Sequence, residues 1–305
     1  MAGEFRASDA NRITREYMDS ILIEERLIGS EEPSLSMNLF GETFQTPIMM
    51  PAFSHLKTFA KEQANGMLEY ARAAKNLGMV NWVGMCENDE FAEIMEVGAK
   101  TVRIIKPYAD RDKVYSQIEQ AVKLGALAVG MDTDHIFGGD GRYDLVVGEK
   151  MIRQTASDIA GYVNAAGIPF LIKGVLSVRD AAVCAECGVK GILVSHHHGR
   201  MPFAVPPLMV LPEIAREVGK SMKIFVDCSI DTGADVYKAL ALGADAAAVG
   251  RAMMPGLKSD GCAGVEKYVR GMNGELAMIM AFTGAKSVEE ISASVLWRDG
   301  KRMGV

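Results

Sequence analysis

LIKGVLSVRDAAVCAECGVKGILVSHHHGR, Leu171 to Arg200, is the stretch whose reading decides the fold. It opens on an apolar run that does not alternate with polar residues, and passes through Ser177 into a segment of helical spacing that ends at Gly188. It then enters a second apolar run, Gly191 to Ser195. Strands without alternation are buried on both faces, which is the condition of a parallel sheet covered by helices. The stretch therefore reads as strand, helix, strand. The same unit recurs outward in both directions, at 47–53, 79–84, 101–107, 127–132, 169–174, 191–195, 223–227 and 246–250, each run followed by helical periodicity. The repeated endings NLG, KLG, ECG and ALG fit glycine stopping a helix before the next strand. Eight such units predict an α/β fold of the (β/α)8 TIM-barrel type over residues 46–305, in preference to an open doubly wound sheet. Residues 1–45 form an N-terminal extension, expected to carry a helix around Arg12 to Arg26 and to cover the barrel bottom.

Composition sets the outer limits. The chain has 305 residues, 49% hydrophobic and 24% charged, and a net charge of −6, enough apolar material for one sizeable core. The acidic balance and the lack of a basic run argue against nucleic acid as a partner. No apolar stretch reaches the roughly 18 residues of a membrane span, and the polar start has no signal-like apolar segment, so a cytoplasmic protein without membrane attachment is expected. Five cysteines, an odd number, read as reduced thiols. The CxxC pair Cys184 and Cys187 lies in an Ala-rich helical pattern and reads as packed thiols.

Barrel chemistry sits at the C-terminal ends of the strands. That rule selects Ala52, Lys106, Asp132, Lys173, Ser195 to Arg200, Asp227, Gly250 and Arg251. Taken alone, the three histidines of SHHHGR could be a metal site, a proton-transfer site or a solvated loop. Adjacent residues of an extended loop point in different directions and cannot all reach one ion, so no metal is expected. The turn after the last strand, VGR, offers close backbone approach at Gly250 and a positive charge at Arg251, a pattern suited to phosphate.

The segments LIKGVLSVRDAAVCAECGVKGILVSHHHGR, LPEIAREV and FVDCSIDTGADVYKALALGADAAAVGRAM together resemble the FMN-dependent α-hydroxy-acid oxidase and dehydrogenase family. The likeness runs from about Pro47 to the C-terminus and is densest from Ile168 to Gly256. It implies a (β/α)8 barrel that binds FMN and oxidises a small 2-hydroxy acid to the keto product. It further implies that His197 is the active-site base, Asp132 its orienting carboxylate, Arg200 the binder of the substrate carboxylate and Lys173 the cation at the flavin edge. Pro51, Ala52, Ser195, Asp227, Ser229, Gly250 and Arg251 are implied as cofactor contacts. A homo-oligomer is usual in such proteins and is expected here, with a small-molecule substrate as the other partner.

Four departures from the family pattern bear on the site. Asp231 in DCSID stands where an arginine normally holds the phosphate. Lys106 in IIK replaces a substrate-binding tyrosine. Tyr17 lies in a stretch that does not match the family's N-terminal tyrosine. The loop after the fourth strand, Asp132 to Lys150, is shorter than the family's lid. Lys106, Arg142, His196 and His198 are accordingly read as substrate-pocket residues, Lys106 and Arg142 as further grips for an anion. Two other functions stay open at this level: a flavin-dependent reductase or isomerase with another substrate, and a non-catalytic barrel binding flavin or a phosphate ligand.

Overall fold

Eight parallel strands form one sheet in the computed structural model, which describes residues 8–304. They are β1 (Ile48–Met49), β2 (Asn81–Val83), β3 (Thr101–Ile105), β4 (Ala128–Asp132), β5 (Phe170–Val175), β6 (Gly191–Val194), β7 (Lys223–Val226) and β8 (Ala246–Ala248). Each pairs with its sequence neighbour from β2 round to β8, and β8 pairs with β1. The ring is completed between β1 and β2 by single contacts: Met50 N–H donates to the Val80 carbonyl at 3.1 Å, Gly84 N–H donates to the Phe53 carbonyl at 2.8 Å, and Phe53 bridges Val83. The fold is the expected (β/α)8 barrel.

Strand periodicity sorts the side chains into two cores. Met49, Trp82, Val102, Ile104, Ala128, Leu171, Leu193, Phe225, Ala246 and Ala248 fill the barrel interior. Their neighbours, among them Ile48, Val83, Ile105, Met131, Ile172, Ile192, Val226 and Ala247, join the helices in the outer core. Gly130 is required inside, because a Cβ there would meet the Leu171 carbonyl oxygen at 2.5 Å and Ile104 Cδ1 at 2.9 Å. Continuing the interior parity two residues beyond Ile104, Gly130, Leu171, Leu193 and Phe225 reaches Lys106, Asp132, Lys173, Ser195 and Asp227. The polar layer at the mouth is thus the continuation of the apolar core.

Helix α1 (Ala10–Asp19) precedes the barrel. Helices α2 (Gly66–Leu77), α3 (Asn88–Glu96), α4 (Arg111–Lys123), α5 (Ala156–Ala166), α6 (Val178–Glu186), α7 (Pro207–Val218) and α8 (Gly233–Ala241) follow β1 to β7, and α9 (Met254–Asp260) and α10 (Cys262–Thr283) follow β8. Their starts are set by side-chain caps. Asn65, Asp110 and Ser177 accept from helix N–H groups, and Thr155 and Thr232 form reciprocal capping boxes with Asp158 and Asp235.

The N-terminal extension differs from expectation. α1 ends at Asp19, because Leu22–Ile23 leaves the helix to pair with Leu296–Arg298 near the C-terminus. The helix lies at the mouth, where it contacts the loops after β6 and β7. The bottom is closed instead by the hairpin Met37–Leu39 and Glu42–Phe44, whose Met37, Leu39 and Phe44 enter the inner core. Among the described residues, no helix is long and apolar enough to cross a membrane.

Candidate active site

Adjacent strands in register deliver the charges of the mouth. β5 and β4 pair Lys173 directly with Asp132. Lys173 Nζ lies 3.1 Å from Asp132 Oδ1, and Lys106 Nζ, from the end of β3, lies 2.5 Å from Asp132 Oδ2. Asp132 is therefore clasped by two ammonium groups. Burial raises its carboxyl pKa, but Lys173 and Lys106 together hold it well below the usual carboxylate range. Lys173 is 6% exposed, yet its neighbouring carboxylates overcome desolvation and keep its pKa above that of a free lysine. For Lys106 desolvation prevails and the pKa falls.

A second carboxylate enters from the turn after β4. Thr133–His135 forms one 3-10 turn, fixed by Thr133 Oγ1 donating to the Lys173 carbonyl at 3.0 Å. It places Asp134 Oδ2 at 3.1 Å from Lys173 Nζ. Room for Asp134 exists because residue 174 is glycine: its φ is +96°, and a Cβ there would stand 2.7 Å from the Asp134 side chain. Burial and the nearby Asp132 raise the Asp134 pKa.

The loop after β6 carries the histidines in left-handed backbone, with φ of 44° at His197 and 60° at His198. Such conformations are costly for residues with a Cβ and persist where the surroundings hold them. Ser195 Oγ accepts the His197 N–H at 3.0 Å, and Gly199 and Arg200 N–H groups return to the His196 carbonyl. The His197 ring then sits with Nδ1 at 2.5 Å from Asp134 Oδ1, 2.8 Å from Lys173 Nζ and 3.5 Å from Asp132 Oδ1. We assign the proton to Nδ1, donated to Asp134, so that Lys173 stands beside this N–H as the charge partner of Asp132 and Asp134 and not as a hydrogen-bond donor to the ring; Nε2 has no hydrogen-bond partner among the described residues, and His197 lines the cavity. Burial and Lys173 pull the imidazolium pKa down, but the facing Asp132 and Asp134 carboxylates outweigh them and the net shift is upward.

The other predicted residues separate into groups. Arg200 closes on the loop after β4: its Nη2 donates to Asp144 Oδ2 at 2.6 Å and to the Phe137 carbonyl at 2.8 Å, and its Nη1 is 3.1 Å from His135 Nδ1. Arg142 is not brought to the site. Its side chain is 88% exposed at the tip of that loop, which the Phe137–Tyr143 bridge closes, and among the described residues its ion-pair partner is Asp140. His196 does not shape the pocket either. It is buried between the loop and α1, its Nδ1 accepting from Gly199 N–H at 2.9 Å and its Nε2 meeting Thr14 Oγ1 at 2.8 Å. His198 does line the cavity while its Nδ1 meets Asn11 Oδ1. Lys106 is committed to Asp132 rather than left for a substrate anion. Tyr17 is buried under Arg298, apart from the cavity.

Sequence reasoning missed Asp134 and Asp144, and it reads His135, just past a strand end, as a loop residue. His135 packs edge-on to His197 with ring centroids 4.5 Å apart, and burial followed by Lys106 lowers its pKa to about 4. The available signal was the run DTDH directly beyond a barrel strand, where a tight turn keeps both carboxylates at the mouth. Asp132, Asp134, His135 and His197 offer ligand atoms within 4.8 Å of one another. Lys173 Nζ already contacts three of these four groups, so an ammonium supplies the positive charge there.

Beside this cluster lies a cavity of about 560 Å³, within the range of small-molecule sites. Pro51, Ala52 and Phe53 form one wall, Lys173, His197 and His198 the next, and Asp227 to Ser229, Asp231 and Gly250 to Ala252 the far end. The lining suits a flat cofactor with an anionic tail. One end is apolar backbone facing a buried cation. At the other, Gly250 leaves open space where a Cβ would be and Arg251 forms no side-chain hydrogen bond or ion pair among the described residues. Asp231 lines the same end. Burial and the nearby Asp235 raise its pKa, and Arg251 at the same end is the group left to balance a phosphate.

A (β/α)8 barrel with a cation and an imidazole at one end of such a cavity, and a phosphate-compatible turn after β8, has the layout that a flavin-dependent oxidoreductase needs. The sequence model of FMN-dependent dehydrogenases matches residues 2–157 and 146–298, and the chain belongs to that family, with FMN as its cofactor. It is 28% identical to glycolate oxidase 3 of Oryza sativa subsp. indica over 95% of this chain and 88% of that protein. It is 37% identical to an L-lactate oxidase of a Roseobacter strain, over 52% of this chain and 43% of that one. The structure superposes on a single-substitution variant of mandelate oxidase with 2-hydroxy-phenylacetamide at a TM-score of 0.83 and 25% identity, covering 93% of this chain and 88% of the other.

Proposed function

We propose that the chain oxidises a small 2-hydroxy acid to the corresponding 2-keto acid. The observation that carries this is the His197 imidazole, which lines the cavity and is tied through Nδ1 to the Asp134 carboxylate, with no partner at Nε2 among the described residues. FMN supplies the two-electron acceptor when bound. Pro51, Ala52, Lys173, Asp227, Ser229, Gly250 and Arg251 line the cavity and would hold it, Arg251 at the phosphate end and the Lys173 ammonium near the ring, whereas Ser195 is buried outside that lining and supports the His197 loop instead. His197 Nε2 takes the proton of the substrate hydroxyl, and the carboxylates behind Nδ1 stabilise the imidazolium that results. Arg200 receives the substrate carboxylate in place of Asp144; one carboxylate replaces another, so the guanidinium keeps its charge balance. The relatives' names support the substrate class, since they are a glycolate, a lactate and a mandelate oxidase.

The test is anaerobic mixing of the FMN-loaded protein with glycolate, L-lactate and (S)-mandelate while the flavin absorbance is followed. Bleaching by at least one, with recovery of the keto acid, is expected. Bleaching by NAD(P)H and by none of the hydroxy acids would remove this reading in favour of a reductase.

A further inference from the structure

The mouth contains two carboxylates where one would serve to orient an imidazole, and their partners differ. Asp132 Oδ2 is taken by Lys106 at 2.5 Å and Oδ1 by Lys173 at 3.1 Å, with His197 Nδ1 at 3.5 Å, beyond a good hydrogen bond. Asp134 offers Oδ1 to His197 at 2.5 Å and Oδ2 to Lys173 at 3.1 Å. From these distances we propose that Asp134 is the residue that positions His197, and that it does so because Lys106 has drawn Asp132 away. The inference rests on the proposed role of His197 as base.

Charge balance gives the physical reason for the pairing. Lys106 and Lys173 bring two positive charges into a largely desolvated layer, and Asp132 and Asp134 bring two negative ones. Either lysine without its share of carboxylate would leave an uncompensated buried charge, which is strongly destabilising. Lys106 and Asp134 are therefore a coupled pair acting through Asp132 and Lys173. The arrangement also depends on Gly174, whose missing Cβ leaves the space that Asp134 fills. The charged and titratable groups facing His197 are Asp132, Asp134 and His135 from β4 and its turn, Lys173 from β5 and His198 from its own loop, with Lys106 of β3 acting through Asp132, Arg200 through His135 and Asp227 of β7 through Lys173.

The test is an NMR titration of the His197 ring in the FMN-loaded protein. In wild type its midpoint is expected above the ordinary 6.5. Asp134→Asn should lower it by about one pH unit or more, the scale of losing one close carboxylate. Asp132→Asn should lower it less. In a Lys106→Gln background Asp132 is released toward His197, so the order inverts and Asp132→Asn becomes the more damaging change. A larger effect of Asp132→Asn in the wild-type background overturns the proposal. If Asp134→Asn does not retain FMN, the comparison of Asp132→Asn in the two backgrounds decides alone, and equal effects overturn it. None of these readouts needs turnover. Failure of hydroxy acids to reduce the flavin would sink the proposed reaction and leave the titration to judge Asp134.

Discussion

At the scale of single residues, the site is governed by which nitrogen of His197 is held. Its Nδ1 is fixed by the carboxylate side of the mouth, its Nε2 has no partner among the described residues, and the residue lines the cavity. An imidazole with a raised pKa must first lose its proton to act as a base. Activity at limiting substrate should therefore rise with pH through a midpoint above 6.5, the direction set by the His197 shift. A kcat/KM profile on any substrate that bleaches the flavin checks this, and a flat profile below neutrality would contradict it. His197→Gln keeps a polar side chain of similar reach but removes the base, and should lower kcat by about 10²–10⁴-fold while FMN stays bound. His196 shows how little adjacency decides. It is next to the base in sequence, yet its ring serves α1 and the Gly199 amide.

At the scale of elements, α1 is the surprise. Asn11, Thr14 and Arg15 each reach a different part of the mouth: Asn11 contacts His198, Thr14 contacts His196, and Arg15 contacts the Ser229 carbonyl. Arg15 also forms a two-point pair with Asp235 at 3.0 and 2.8 Å, and Asp235 in turn accepts the N–H groups of Asp231 and Thr232. The Cys228–Ser229 backbone in this loop is left-handed at φ 72° and 59° and needs outside support. Arg15→Ala should cost about 1–2 kcal/mol, discounted for the partial exposure of the arginine. The melting temperature should fall by a few degrees, and FMN should dissociate faster. A variant with wild-type melting and wild-type FMN retention would show that α1 does not brace the loop.

At the scale of the whole molecule, the barrel holds charges where apolar packing would otherwise continue, and this makes its stability pH-dependent. His135 has a folded pKa of about 4, below the value of a free histidine. Between those two values the unfolded chain binds a proton that the folded chain refuses, so acid favours unfolding. Asp132, depressed well below 3.8, adds loss of stability at still lower pH. His197 acts in the opposite sense: its contribution is complete below 6.5 and is lost as pH rises through its folded pKa. The melting temperature of the FMN-loaded protein should thus fall as pH drops from about 6.5 to about 4, and His135→Asn should flatten that segment. An unchanged slope in the variant would move the acid sensitivity elsewhere.

The eight strands, their order and the mouth position of Lys106, Asp132, Lys173, Ser195, His197 and Asp227 were legible because strand periodicity and buried apolar runs are local properties of a chain. So were the glycine turns and the helix caps. The partnerships at the mouth were not, because the residues involved are separated by 24 to 65 positions and meet only when the barrel closes. Asp134 could be recognised as the neighbour of His197 only after the turn beyond β4 and the open space at Gly174 were in place. Arg200 read as a free carboxylate grip, yet the folded loop supplies Asp144 to it. The helix near the start was expected at the bottom, where its polar sequence alone gave no direction; long-range contacts with His196, His198 and Asp235 put it at the mouth. Sequence by itself determined the barrel and the inventory of charges. Tertiary structure decided which charge faces which, since in a desolvated layer every ionised group must find an opposite one and the nearest in space need not be nearest in the chain.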